Sequence, residues 1–151
     1  MIVRPPKTKE EFERYRDLRW KILRAPHNQP KIIEQDDAGN KDYPIMVCEV
    51  DGIPIGVGRA HFISEGEAQI RSISVEPEWE GKGIGTIVLK ELEKIVTAKG
   101  AKRIIIHARN NAVEFYKKSG YKSLEPSYTL FEEIEHTLME KRIKEEINPA
   151  L

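Results

Sequence analysis

Three glycines surround one lysine in Gly81-Lys82-Gly83-Ile84-Gly85, directly ahead of an apolar, helix-forming run that begins Thr86-Ile87-Val88-Leu89. Glycine costs a helix roughly 1 kcal/mol relative to alanine, so the cluster implies a backbone that something approaches closely. A strand leads into the stretch and a helix leaves it. Successive N–H groups can then point into one concavity, and the helix adds the positive end of its dipole. That arrangement suits a phosphate or pyrophosphate. The spacing excludes two familiar versions. No G-x-x-x-x-G-K-[ST] run is present, and Thr86 stands where a dinucleotide fold places its third glycine. A solvent-exposed turn without a ligand is the plain alternative. His27, His61, His107 and His136 lie far apart and match no common metal spacing, so no metal is expected. Cys48 is the only cysteine; it reads as a small buried hydrophobe, and the lack of an internal disulfide fits a cytoplasmic location.

The elements that must position this turn are legible from periodicity. Ile2 to Arg4 forms a short strand, and Thr8 with Glu11 has capping-box spacing for a helix carrying Phe12, Tyr15, Leu18, Arg19, Ile22 and Leu23. Phe12 and Trp20 are expected in the core. Pro26 ends the helix, and residues 27–43 read as a long loop with room for one helical turn. Asp51-Gly52 between two apolar runs marks a hairpin. Gly56 and Gly58 in its second strand suggest close backbone approach or a bulge. Residues 68–75 make a third strand with Gln69, Arg71, Ile73 and Val75 on one face. Ile84, Ile87, Val88, Leu92, Ile95 and Val96 form one face of the following helix, stopped at Gly100. Arg103 to Ala108 is a continuous apolar strand suited to a parallel partner, and residues 112–119 a short helix closed by Gly120.

Two motifs together carry a resemblance. Val75-x-Pro77-Glu78-x-x-Gly81-Lys82-Gly83-Ile84-Gly85, and Ala112-Val113-x-Phe115-Tyr116-x-Lys118-x-Gly120-Tyr121, resemble the GNAT superfamily of acetyl-CoA-dependent N-acetyltransferases, in family order. LRWKILRAPHNQP (18–30) and FEEIEHTLMEK (131–141) look like a small, mostly uncharacterised bacterial subgroup. The resemblance implies that the tail is two strands, around 121–131 and 135–142. It implies one α/β domain over residues 1–151, with a mixed, mostly antiparallel twisted sheet of about six to seven strands, flanking helices and a strand splay that holds CoA. Backbone groups of Ile73 and Val75 would take the pantetheine arm. The amides of Gly81, Lys82, Gly83, Ile84, Gly85 and Thr86 would take the pyrophosphate. Tyr116 matches the family's tyrosine near the CoA sulfur; a phenol with pKa near 10 stays protonated at neutral pH and can donate to a departing thiolate. Tyr116 packed on the sheet as a plain helix residue is the other reading.

Three positions depart from the family pattern. Glu80 stands where Arg or Gln is usual, which predicts weaker CoA binding. Arg109 replaces an asparagine that contacts pantetheine and could contact phosphate or substrate instead; Asn111 is the candidate to take over, and Asn110 or Asn111 is expected to cap the short helix. Gln69 replaces a basic glutamate, leaving Glu67, His107 or a water chain as proton acceptors. His107 in its apolar strand reads more simply as a core histidine. Acceptor contacts are assigned to Arg24, His27, Gln69, Arg71 and His136.

Composition narrows the rest. The chain has 151 residues with 25 Lys plus Arg against 25 Asp plus Glu, so zero net charge argues against nucleic-acid or anionic-membrane binding. The N-terminus lacks a signal-peptide core or an apolar span of about 20 residues. The expected activity is acetyl transfer from acetyl-CoA to a primary amine through a ternary complex. A non-catalytic acyl-CoA-binding or regulatory module on the same fold is the alternative, and a plain interaction domain a third. The acceptor is unspecified, and a homodimer is among the assemblies the resemblance allows.

Overall fold

The computed structural model describes residues 1–31 and 42–144. Ten elements follow in chain order: β1 (Ile2–Arg4), α1 (Lys9–Leu23), β2 (Tyr43–Val50), β3 (Ile53–Ser64), β4 (Glu67–Val75), α2 (Ile84–Ala98), β5 (Arg103–Arg109), α3 (Val113–Lys118), β6 (Lys122–Leu130) and β7 (Ile134–Arg142). Single 3-10 turns cover Ala25–His27, Pro77–Trp79 and Asn110–Ala112. The strands form a seven-stranded mixed sheet in the order β1-β2-β3-β4-β5-β7-β6. This is the α/β architecture expected, down to the two strands of the tail. Most of the loop expected over residues 27–43, with its room for one helical turn, covers 32–41, which lie outside the described residues. No helix among the described residues is long and apolar enough to cross a membrane.

The chain divides into two compact units, Met1–His61 with Ile70–Ile95, and Phe62–Gln69 with the chain from Val96 onward. In the first, Thr8 caps α1: its hydroxyl accepts from the Glu11 N–H at 3.1 Å. Glu11 in turn accepts from Lys7 N at 2.9 Å and pairs with the Arg4 guanidinium at 2.8 Å. Arg4 also reaches Asp51 at 2.7 Å, so β1, the start of α1 and the β2–β3 turn are tied by one side chain. Tyr15 and Leu18 of α1 pack with Met46, Cys48 and Val57, flanked by Ile22. Phe12 and Trp20, expected in this core, are only half-buried. The helix buries a narrow stripe of Tyr15, Leu18 and Arg19, and the Trp20 indole N–H turns aside to donate to Gln29 O at 2.9 Å.

Helix α2 lies on the opposite face of β3, and the two strand glycines let it come close. A Cβ at Gly58 would stand 2.6 Å from Val88 Cγ1, and one at Gly56 would collide with Ile84. An added methyl there forces displacement of the helix, an overpacking that costs about 1–3 kcal/mol. The buried face of α2 includes Ile84, Val88 and Leu92 as expected, and Leu89 besides.

In the second unit, β5 is apolar on both faces: Ile104, Ile105, Ile106 and Ala108 are buried. It pairs with β4 in parallel through Glu67↔Arg103, Ala68↔Ile104 and Gln69↔Ile105, and with β7 antiparallel along its whole length, ending at Arg109↔His136. Arg103 bonds Glu67 at 3.1 Å and Glu140 at 2.7 Å, tying three strands together.

Candidate functional site

Each unit carries its own set of chemically capable groups. In the first, β4 leads to the glycine turn. Ser72 interrupts the strand with φ 61, a left-handed conformation that a non-glycine residue adopts only under constraint. The constraint is visible: Ser72 O accepts from the Ser74 hydroxyl at 3.2 Å, and the Ser72 hydroxyl receives Arg59 Nε at 3.4 Å. Ile73 lies just past this kink, with Cγ1 3.1 Å from where a Gly58 Cβ would be. Its side chain is thus occupied with packing against Gly58.

The turn itself follows Pro77–Trp79. Gly81 has φ 73 and Gly83 has φ 86, conformations that favour glycine. Nothing lies within 4 Å of where either Cβ would be, so the space over the turn is open. Glycine is therefore favoured here by backbone conformation, in contrast to the close packing that requires it at Gly56 and Gly58. Helical bonding begins with Ile87 N donating to Gly83 O at 3.1 Å. The amides ahead of it are the orphan donors of a helix N-terminus. No acidic side chain occupies the first turn of α2, so the positive end of its dipole is uncompensated there. Lys82 places its ammonium 5.1 Å from the Trp79 ring centroid, so Trp79 serves to position that cation. Glu80 is exposed, and Thr86 is half-buried in the first helical turn.

Sequence reasoning missed a polar cluster in the same unit. Arg59, only 4% exposed, bonds Asp42 Oδ2 at 2.6 Å, and His61 Nδ1 stands 3.9 Å from Asp42 Oδ1. Burial holds the His61 imidazole below its ordinary pKa; Asp42 opposes that shift, and Arg71 and Arg59 add to it. Arg71 is thus electrostatically coupled to His61. No motif announced the cluster, because it is assembled by strand register; the one available signal was an arginine inside an apolar strand.

In the second unit the sites gather at the carboxyl end of β5. Tyr116 is 8% exposed and packs edge-on against Phe115 and Tyr121, at centroid distances of 5.0 and 5.8 Å. Burial pushes its phenol well above the ordinary value, so it stays protonated. His107 is half-buried, not a sealed core residue: Nδ1 lies 2.5 Å from the Ser127 hydroxyl, and its ring is 5.4 Å from that of Tyr128. His136 stands opposite Arg109 and stacks on Tyr128 at 4.3 Å. Asn110 does not cap α3. Its oxygen accepts from Thr137 at 2.8 Å and its amide reaches Glu135 at 3.4 Å, because β7 offers partners that the short helix does not. Asn111 does not cap it either: it is exposed, and the N-cap position ahead of α3 is Ala112, with no side-chain cap. Glu67, a candidate base, is held in the ion pair with Arg103. Gln69 is half-buried opposite Ile105; Arg24 and His27 sit at the end of α1 and in the 3-10 turn that follows. Among the described residues, no three His, Cys, Asp or Glu side chains are grouped to hold a metal.

Comparison with known proteins gives a consistent picture. Residues 12–121 match the profile of the Acetyltransferase (GNAT) family. An uncharacterized N-acetyltransferase of Bacillus subtilis (strain 168), YjcF, is 31% identical over 135 residues, spanning 89% of this chain and 95% of the relative. Among solved structures, an aminoglycoside 6'-N-acetyltransferase complexed with coenzyme A superposes with TM-score 0.81 at 16% identity, over 98% of this chain and 100% of the other. A PaiA N-acetyltransferase from Thermoplasma acidophilum in complex with coenzyme A does so with TM-score 0.70 at 20% identity, over 95% and 100%. At those identities the structures speak to fold.

Proposed function

The chain belongs to the acetyltransferase (GNAT) family, and from that premise we propose that it moves an acetyl group from acetyl-CoA to a primary amine by direct attack in a ternary complex. The amides from Gly81 to Thr86 hold the pyrophosphate, helped by Lys82. Backbone groups of Ile73 and Val75, beyond the kink at Ser72, receive the pantetheine arm, with Asn111 as a further contact. The amine nitrogen attacks the thioester carbonyl, a C–N bond forms, the C–S bond breaks, and the Tyr116 phenol gives its proton to the departing sulfur. A positioned acid of this kind contributes about 10²- to 10⁴-fold. Arg24, His27, Gln69 and Arg71 are assigned to the acceptor side. A cytoplasmic location and a homodimer accord with this reading and are proposed with it.

One observation carries the proposal: a helix N-terminus with two positive-φ glycines, open space above them and no acid in its first turn. The test is thiol release from acetyl-CoA with putrescine, kanamycin and N-α-acetyllysine, beside calorimetry of CoA binding. Turnover with one amine, reduced about 100-fold in Tyr116→Phe with CoA affinity unchanged, is the expected result. The pairing of Glu67 with Arg103, together with glutamine at position 69, favours the second reading, an acyl-CoA-binding module without chemistry. It predicts saturable CoA binding and no thiol release from any amine.

A further inference from the structure

An amine that attacks a thioester must shed a proton, and Glu67, the carboxylate two residues before Gln69 on β4, is committed to Arg103. His107 shares its Nδ1 with a hydroxyl, which can donate or accept and so fixes no tautomer. His136 is different. Its Nδ1 lies 3.1 Å from Tyr128 O and 3.0 Å from Ile134 O. Both partners are carbonyl oxygens and can only accept, so Nδ1 must carry the proton. The lone pair is therefore on Nε2, and among the described residues that atom has no hydrogen-bond partner. It is also absent from the polar atoms sealed away without a partner, although the residue as a whole is only 6% exposed. The ring is clamped by its stack on Tyr128, with an interplanar angle of 24°.

The position fits a ligand site. His136 faces Arg109, the last residue of β5, at the carboxyl end of a strand that pairs in parallel with β4. Ligands of open α/β sheets sit outside the carboxyl ends of such strands. We infer that His136 is the general base of the reaction: its Nε2 takes the proton from the attacking amine nitrogen as the C–N bond forms, and later passes it to solvent. This assignment rests on the acetyl-transfer reading above. Protons balance: the amine loses one to His136, the sulfur gains one from Tyr116, and the proton that His136 releases to solvent is matched by one that the Tyr116 phenolate takes back from it.

The groups facing the ring are Arg109 and His107 on β5 and Tyr128 on β6. Burial, with smaller contributions from Arg109 and His107, keeps the imidazole below its ordinary pKa; the two carbonyls act in the other direction. The base is thus neutral and competent at neutral pH.

The variant His136→Asn keeps an amide N–H for the two carbonyls and removes the base. With the amine that turns over in the panel above, kcat is expected to fall about 100-fold or more while KM for acetyl-CoA stays within about twofold. In the wild type, kcat/KM rises as pH climbs through a value below about 6.5 and then levels; the variant loses this limb. Nitrogen NMR of the wild type, which does not depend on how the variant folds, should show Nδ1 protonated and Nε2 bare above that limb. A proton on Nε2 there, or an Asn variant with wild-type kcat and the same limb, overturns the assignment and leaves acetyl transfer standing. A wild type that binds CoA but releases no thiol with any of the three amines overturns acetyl transfer, and the base with it.

Discussion

Two long helices begin in the first unit, and the chain finishes their N-termini in opposite ways. At α1, Thr8 caps the Glu11 amide, Glu10 and Glu11 place negative charge in the first turn, and Arg4 locks Glu11 in place. At α2, the first turn has no acid, and two glycines turn left-handed beneath open space. The same physical problem, orphan N–H groups and a positive dipole end, is solved internally in one case and left open to an external anion in the other. The contrast separates a helix end closed by its own side chains from one left open, which the proposed function makes the binding end. It predicts that mutations at the two ends affect different measurements.

The largest effect belongs to the open end. Gly83→Asp places a Cβ at φ 86 and a carboxylate over the turn. CoA affinity is expected to fall at least about 100-fold, equivalent to ~2.7 kcal/mol. Folding stability should fall by only about 1–2 kcal/mol, the cost of holding a non-glycine residue there. Calorimetry and denaturant unfolding measure the two quantities separately. A variant that loses stability but still binds CoA normally would erase the distinction between the helix ends.

The closed end should give the converse. Thr8→Ala is expected to cost ~1 kcal/mol of stability with CoA affinity unchanged. An acid titration sharpens the point. The Arg4 guanidinium, chiefly, together with the Lys7 N–H, holds the Glu11 carboxyl down at about 2 from an ordinary 4.5. The folded value is the lower one, so this contribution is fully present above about pH 4.5 and lost as pH falls toward 2. Glu11→Gln should therefore flatten the acid limb of a stability–pH curve and leave its neutral shape intact.

The smallest effect concerns Glu80. The residue is exposed at the edge of the turn, where solvent and salt screen its charge. Glu80→Gln is expected to tighten CoA binding by roughly threefold at low salt, with the gain shrinking as salt rises. Equal affinities at every ionic strength would show that this carboxylate does not face the pyrophosphate.

How much of this was legible in the sequence depends on the range of the interaction. The α1 cap and the glycine turn were both readable, because each is written within a few consecutive residues. Tyr116 could be singled out only through resemblance. The residue proposed to take the amine proton could not. The clamp on His136 needs, besides the Ile134 carbonyl two residues back, the carbonyl of Tyr128, which becomes its neighbour only when β6 and β7 close as a hairpin. The Asp42–Arg59–His61 cluster likewise exists through strand register. The expected Asn110 cap failed for the same reason: a local rule favoured the helix, and a residue distant in sequence, Thr137, supplied a better partner.

The central claim is that the amides between Gly81 and Gly85 bind the pyrophosphate of CoA. Amide proton–nitrogen spectra recorded during a CoA titration test it most directly. The account predicts that the largest shifts, saturating together, fall on Gly81, Lys82, Gly83, Ile84 and Gly85. Saturable binding that leaves those five amides unmoved would contradict it.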